Sequence, residues 1–328
     1  MGAIHLRAFL HSTGVTVGAI CSSDPKKLNG DFSAVHGNFL RNVSPLDLRG
    51  VAKYTDPASL IGHSDLDAVS ICVPTDLHAP IASSALNKGL HVLLEKPMAL
   101  TAAACDELQK IATERGLVLM IGHVLRFWPE YLTLAEFIRA HGATRIRDAT
   151  FERRGPIPQS AWCRRLASSG GALLDLLIHD IDQALQLFGW PAAVEARDAP
   201  GFDALDATLF YESGVRVSIQ GGWIDEIYPL AMSFHARSGT GTLHLSNTGV
   251  LTAQSQDGTS LVVENNGRDP FQAEVDYFVS CCRTRQQPQR CPPADAAQAV
   301  KLALLLSESR TRSGACIDCK EEMAIPLS

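Results

Sequence analysis

No apolar run in the chain reaches the roughly 18 consecutive residues that a membrane-crossing helix needs. The amino terminus also lacks a basic segment leading into an apolar stretch and a cleavage site. Neither a helical span nor a secretory leader is therefore expected, and the expected location is the cytoplasm. Dense Lys/Arg blocks are missing as well: 29 basic against 35 acidic residues leave a net charge of -6, which gives nucleic acid or an anionic membrane surface little to hold. A paired disulfide framework is absent. The nine cysteines are odd in number and scattered, and Cys21 and Cys72 lie inside apolar runs, where a thiol behaves as a small core residue. Cys316 and Cys319 form one C-x-x-C without the second pair of a structural zinc site or the preceding strand of a redox pair, so no metal is expected. Low-complexity tracts and internal repeats do not occur. A globular chain with a small-molecule partner fits this set of absences.

With 328 residues, 46% of them hydrophobic, the chain can bury two cores. Residues 1–123 alternate short β-rich runs (15–20, 68–73, 91–94, 118–121) with helical stretches (80–88, 102–115), the pattern of a doubly wound parallel sheet in which buried strands read as continuous apolar runs. After a helix at 130–141 the texture changes to alternating strands joined by glycine turns at Gly214, Gly239, Gly241 and Gly258. The expected fold is thus α/β: a Rossmann-type domain over 1–123, and an α+β domain over 124–328 with a largely antiparallel sheet and a helix at 173–188 packed on it. A final helix at 294–311 can pack back on either domain. The free face of the second sheet is expected to be covered by another copy, giving a homodimer or homotetramer.

A dinucleotide site needs a G-x-G-x-x-G loop straight after its first strand, because glycines let the backbone approach a pyrophosphate at a helix amino terminus. Met1-Gly2-Ala3-Ile4-His5 reads as the last glycine of that loop running into its helix, with Gly2, Ala3 and Ile4 against the cofactor. The strand and the earlier glycines are not seen before it, so the expectation is a start upstream of Met1; a merely flexible amino terminus is the alternative. About twenty residues on, where an acid usually reads the ribose hydroxyls, stand Ser22 and Ser23. Serines there admit NADP as well as NAD, although Asp24 can do the acid's work.

Two constellations carry chemistry. Glu95-Lys96-Pro97 follows an apolar strand at the carboxyl edge where open α/β sheets bind ligands, and Lys96 can reach both nicotinamide and substrate. In the Gly170-to-Asp182 segment, Asp175, His179, Asp182 and Gln186 fall at i, i+4, i+7 and i+11, one polar stripe on an otherwise apolar helix. Oxidising a carbinol needs a base with a near-neutral pKa, and a histidine beside a carboxylate suits that task, which makes His179 the candidate base.

Taken together, these segments resemble the Gfo/Idh/MocA oxidoreductases, a family that includes glucose-fructose oxidoreductase and inositol 2-dehydrogenases. The resemblance rests on Pro74-Thr75-Asp76-Leu77-His78, Glu95-Lys96-Pro97-Met98-Ala99, Gly122-His123-Val124-Leu125-Arg126-Phe127 and the 170–182 segment. It implies a catalytic group of Lys96, Asp175 and His179, with Pro74, Thr75, His78 and Glu95 along the cofactor. Candidates for the substrate pocket are His123, Arg126, Trp162 and Arg164. The expected activity is hydride transfer between NAD or NADP and a secondary hydroxyl or ketone of a sugar or polyol. The rivals are a catalytically silent binding protein and a reductase of a non-sugar ketone or diol. The 29–50 stretch has no assigned role.

Overall fold

The computed structural model describes residues 1–33, 45–63, 65–264 and 267–320; half of the unassigned 29–50 stretch, residues 34–44, lies outside them. The chain divides into two compact units, one of residues 1–99, 103–124 and 268–294, the other of 100–102, 125–267 and 295–328.

In the first unit the elements run α1 (Gly2–His11), β1 (Ala19–Cys21), α2 (Pro25–Leu28), β2 (Ala52–Tyr54), α3 (Pro57–Ile61), β3 (Ala68–Ile71), α4 (His78–Lys88), β4 (His91–Glu95), α5 (Ala102–Glu114) and β5 (Leu119–Gly122). All strand pairs are parallel, as the continuous apolar runs require, but the sheet is in two pieces, β1-β2 and β3-β4-β5. Between them lies a cleft of about 850 Å³ lined by consecutive residues of both β1 and β3 and floored by Gly2, His5, Leu6 and Phe9 of α1. β4 and β5 form the core, with Leu93, Leu94, Met120 and Ile121 fully buried. β1 is shorter than the apolar run that announces it, because it has a hydrogen-bonded neighbour on one side alone. Two helices begin on Asp-Pro: Asp24 and Asp56 accept bonds from the first-turn N–H groups of α2 and α3, and the following proline has no N–H to lose.

The second unit contains α6 (Pro129–His141), β6 (Ile146–Gly155), α7 (Leu166–Ser169), α8 (Gly171–Asp175), α9 (Ile178–Phe188), β7 (Ala193–Asp198), β8 (Asp203–Phe210), β9 (Arg216–Trp223), β10 (Ala231–Ser238), β11 (Gly241–Leu245), β12 (Leu251–Ser255) and β13 (Ser260–Val262). Then α10 (Pro270–Thr284) returns to the first unit, and α11 (Pro293–Thr311) and β14 (Ile317–Asp318) end the second. α10 also starts on Asp-Pro, at Asp269. Its Asp276 accepts a bond from Ser12 Oγ at 2.6 Å, and its Phe278 meets Phe9 edge to face. Among the described residues the sheet has nine strands in the order β13-β12-β11-β10-β6-β9-β8-β7-β14, antiparallel except for β6 beside β9.

Two glycines of β9 are obligatory. Gly221 and Gly222 sit at φ of 131° and 139°, and a Cβ on Gly222 would run into the backbone carbonyl of Asp203 on β8. The Asp203 carboxylate in turn accepts from Ala172 N (2.7 Å) and from Arg310 (2.7 Å). Gly222→Ala is expected to lower stability by about 2 kcal/mol or more, read as a drop in Tm; an unchanged melting curve would remove this strand's glycines from the account.

Candidate active site

Residues of the first unit gather at the carboxyl ends of β3 and β4. Pro74 precedes a single helical turn, with Thr75 buried in it. His78, at the start of α4, is 99% buried; its Nδ1 lies 2.7 Å from the Pro97 carbonyl and its Nε2 3.0 Å from that of Val73. Burial pushes its pKa down, so the neutral ring donates to one carbonyl at a time and ties the β3 end to the segment after Lys96. Lys96 itself is half-buried, and its N–H donates to Glu95 Oε2 at 3.1 Å. Gly2, Ala3 and Ile4 form the first turn of α1, which has no acidic residue and no side-chain cap. Such a terminus presents the N–H groups of Gly2 and Ala3 to a phosphate, while Ile4 N donates to Met1 O at 2.7 Å. Ser22 follows β1, its N–H bonded to Tyr54 O at 3.0 Å, and Ser23 beside it is exposed. Asp24 is committed to capping α2, accepting from Lys26 N at 3.0 Å.

Beneath this edge lies a buried cluster that residue spacing did not bring forward. His5 of α1 places Nε2 3.1 Å from Glu95 Oε1 and 3.8 Å from Glu274 Oε2 of α10, while Nδ1 meets Ser70 Oγ at 2.8 Å. Burial opposes every charge here. Against it, Cys72 and Glu95 hold the His5 pKa well above its ordinary value. In the same way His5 and Lys96 bring Glu95 down to about 2. Glu274, fully buried and facing the Glu95 carboxylate, is pushed up to about 8 and makes no hydrogen bond among the described residues. Near neutral pH the cluster is therefore one His5–Glu95 ion pair beside a protonated Glu274. His5, Cys72 and Glu95 also have donor atoms within 4.8 Å of one another; His5 Nδ1 meets Ser70 Oγ, while Nε2 faces Glu95 as an ion-pair contact without a hydrogen bond.

In the second unit the predicted single helix at 173–188 is broken. Gly170 and Gly171 start α8 at φ of 74° and 73°, and Leu177 N reaches back five residues to Ala172 O at 2.9 Å. That widened turn ends α8 at Asp175 and starts α9 at Ile178, a local loosening of the kind that recurs at functional sites. Asp175 and His179 flank the break, both half-buried. The rest of the expected polar stripe goes elsewhere. Asp182 is 1% exposed and takes a bidentate pair of bonds from Arg126 (2.9 and 2.7 Å). Gln186 is exposed beside Gln183. Asp180, fully buried, takes a second bidentate pair from Arg153 of β6 (2.7 and 3.0 Å), whose guanidinium also donates to Tyr131 Oη at 3.2 Å.

Residues 1–123 match the family described as "Oxidoreductase family, NAD-binding Rossmann fold", and residues 131–242 match the "GFO/IDH/MocA C-terminal domain". The chain belongs to the GFO/IDH/MocA oxidoreductase family. Within it, the myo-inositol 2-dehydrogenase of Thermotoga maritima is 26% identical over 80% of this chain and 82% of its own length. The uncharacterized oxidoreductase YdgJ of Escherichia coli is 28% identical over 62% of this chain. The match covers 55% of YdgJ, so the chain spans about half the length of that curated relative. The crystal structure of the Caulobacter crescentus aldose-aldose oxidoreductase shares the fold with a TM-score of 0.81, at 21% identity and with 96% and 95% of the two chains covered.

The remaining GFO/IDH/MocA candidates scatter. His123 is buried at the end of β5 in the first unit. Arg126 is buried against Asp182 and Asp295 (2.7 Å). Trp162 packs on a small cluster of Cys163, Ala172 and Trp223. Arg164 is exposed and donates to Pro158 O at 2.7 Å. Cys319 is buried and Cys316 exposed, and both are free thiols.

Proposed function

We propose that this GFO/IDH/MocA protein transfers a hydride between NAD(P) and a secondary hydroxyl or ketone of a sugar or polyol. The observation that carries the reading is the broken helix: it sets one histidine and one carboxylate, both half-buried, on either side of a widened turn, while the neighbouring acids are taken up by arginines. The first turn of α1 and the carboxyl ends of β3 and β4 fit a dinucleotide, with Gly2, Ala3, Ile4, Ser22, Pro74 and Thr75 as its holders; Glu95 lies beneath them, paired with His5 and accepting from Lys96 N. NAD(P) held there would supply the hydride chemistry, as acceptor of the carbinol carbon's hydrogen with its electron pair or as donor to a ketone. His179 takes the hydroxyl proton on an imidazole nitrogen as that carbon is oxidised, Asp175 orients the ring, and Lys96 holds the substrate oxygen. A substrate panel of inositols, aldoses and non-sugar ketones, followed by NAD(P)H absorbance, tests the reading; turnover of the non-sugar ketones alone would overturn the sugar assignment. The same reading places the protein in the cytoplasm as a homo-oligomer formed through the nine-stranded sheet, whose β13 exposes Leu261 and Val262.

The pocket for the ribose can be tested by itself. Ser22 Oγ accepts from Asp24 N at 3.1 Å and the Asp24 carboxylate is turned to cap α2, so Ser22→Asp sets a further negative charge at the end of β1. Ser22→Asp is expected to raise the Kd for NADPH relative to that for NADH by about tenfold or more, measured by fluorescence titration of both nucleotides. An unaltered ratio would take Ser22 out of the cofactor site.

A further inference from the structure

We propose that the two buried ion pairs on α9, Arg153–Asp180 and Arg126–Asp182, are a positioning device that fixes the direction of His179; the proposal rests on His179 being the base.

The helical wheel gives the reason. Successive residues turn by about 100°, so Asp180 stands about 100° to one side of His179, and Asp182, three positions on, about 60° to the other. The two anchors bracket the histidine, and rotation of α9 in either sense breaks one of them. Each is bidentate, a geometry that tolerates little sliding or twisting. The arginines come from different places, Arg153 from β6 and Arg126 from the turn over Val124–Phe127. Arg126 also holds Asp295 of α11, and Arg153 holds Tyr131 of α6. The helix is thereby fixed to the sheet and to two other helices. His179 needs such anchoring because it sits one residue inside a helix whose preceding turn is widened, where the backbone by itself defines direction poorly.

Stability does not explain the arrangement. Both arginines and both aspartates are at least 96% buried. Well-packed apolar residues commonly replace a buried ion pair with no loss of stability; what such a replacement gives up is the directional geometry that the pair imposes.

The test replaces one anchor whole, as Tyr131→Phe, Arg153→Met and Asp180→Leu together, so that no polar partner is left buried and alone. Expected are a Tm close to that of the parent, a kcat reduced at least tenfold, an unchanged Kd for NAD(P)H, and shifted or broadened imidazole resonances of His179 in NMR spectra. In a His179→Ala background the same triple replacement should change the residual rate less than twofold. A folded triple variant with parental kcat and imidazole resonances overturns the proposal, and so does an equal loss in the His179→Ala background. Should the triple variant fail to fold, Arg153→Lys keeps the charge and loses the fork; it is expected to lower kcat several-fold, and parental kcat in that variant overturns the proposal. Full activity in His179→Ala alone would instead sink the base assignment, while the imidazole resonances would still report whether the anchor holds the ring.

Discussion

His179→Ala is expected to lower kcat by about 10²–10⁴ while leaving the Kd for NAD(P)H and the melting temperature close to those of the parent. Removing a general base takes away an interaction made as the proton moves, so kcat and kcat/KM should fall together. Stability should hold because the residue is half-buried in the first turn of α9 and the anchors of that helix lie on Asp180 and Asp182. The pH profile adds a sign. In the oxidation direction the base must be unprotonated, so the rate of the parent should rise with pH through the base's ionisation, and the variant should lose that limb. Lys96→Ala should also depress kcat, with a larger rise in the KM for the polyol than His179→Ala shows, because an ammonium that holds the substrate oxygen contributes in the ground state as well. Rates near the parent's in both variants would end the catalytic assignment and leave a dinucleotide-fold binding protein.

How far the sequence led differs between the two units, and the reasons are physical. The strands at 68–71, 91–95 and 119–122 were legible because buried parallel strands are largely apolar: 119–122 is buried throughout, Val92, Leu93 and Leu94 are fully buried, and in β3 Val69 and Ile71 are buried while Ser70 bonds to His5. The helix ends at Lys88, Glu114 and His141 were legible within a residue, the first because Gly89 adopts φ of 93° just beyond it. The break between α8 and α9 was not. Periodicity fits one continuous helix, and a single widened turn, in which Leu177 N bonds to Ala172 O, leaves no mark in the spacing of apolar residues; the start of α8 is held from far along the chain, by Asp203 accepting from Ala172 N. Asp182 was read as part of a functional stripe because a carboxylate four or seven residues from another looks the same whether it faces solvent, substrate or a buried arginine. Arg126 lies 56 positions away in the sequence. α10 and its Glu274 were missed for a related reason. The Asp269-Pro270 start was present in the sequence as a capping signal. That the helix belongs to the first unit is fixed by Phe9, Ser12 and His5, none of which is near it in sequence.

That buried helix contact leads to the second large expected effect, on stability against pH. Glu274 ionises at about 8 in the folded chain and near 4.3 when unfolded. Between those values the unfolded state has released a proton that the folded state keeps, so stability falls as pH rises. His5 acts in the same direction: its folded pKa lies above its ordinary value, and the stability this brings is present below pH 6.5 and lost as pH rises through the folded value. Glu95, held at about 2, contributes stability that is fully present above about 4.3 and is lost as pH falls toward 2, so it adds no slope between pH 5 and pH 8. The expected result is a Tm that declines steadily from pH 5 to pH 8 and beyond. Glu274→Gln should raise stability at pH 8 by on the order of 4 kcal/mol and flatten most of the slope, because a neutral amide of the same size replaces a carboxyl that folding keeps from ionising. Thermal melts of parent and variant at four pH values decide the matter. Parallel curves would mean that the Glu274 carboxyl ionises normally in the fold, and that His5 is shared by two carboxylates rather than paired with Glu95 alone.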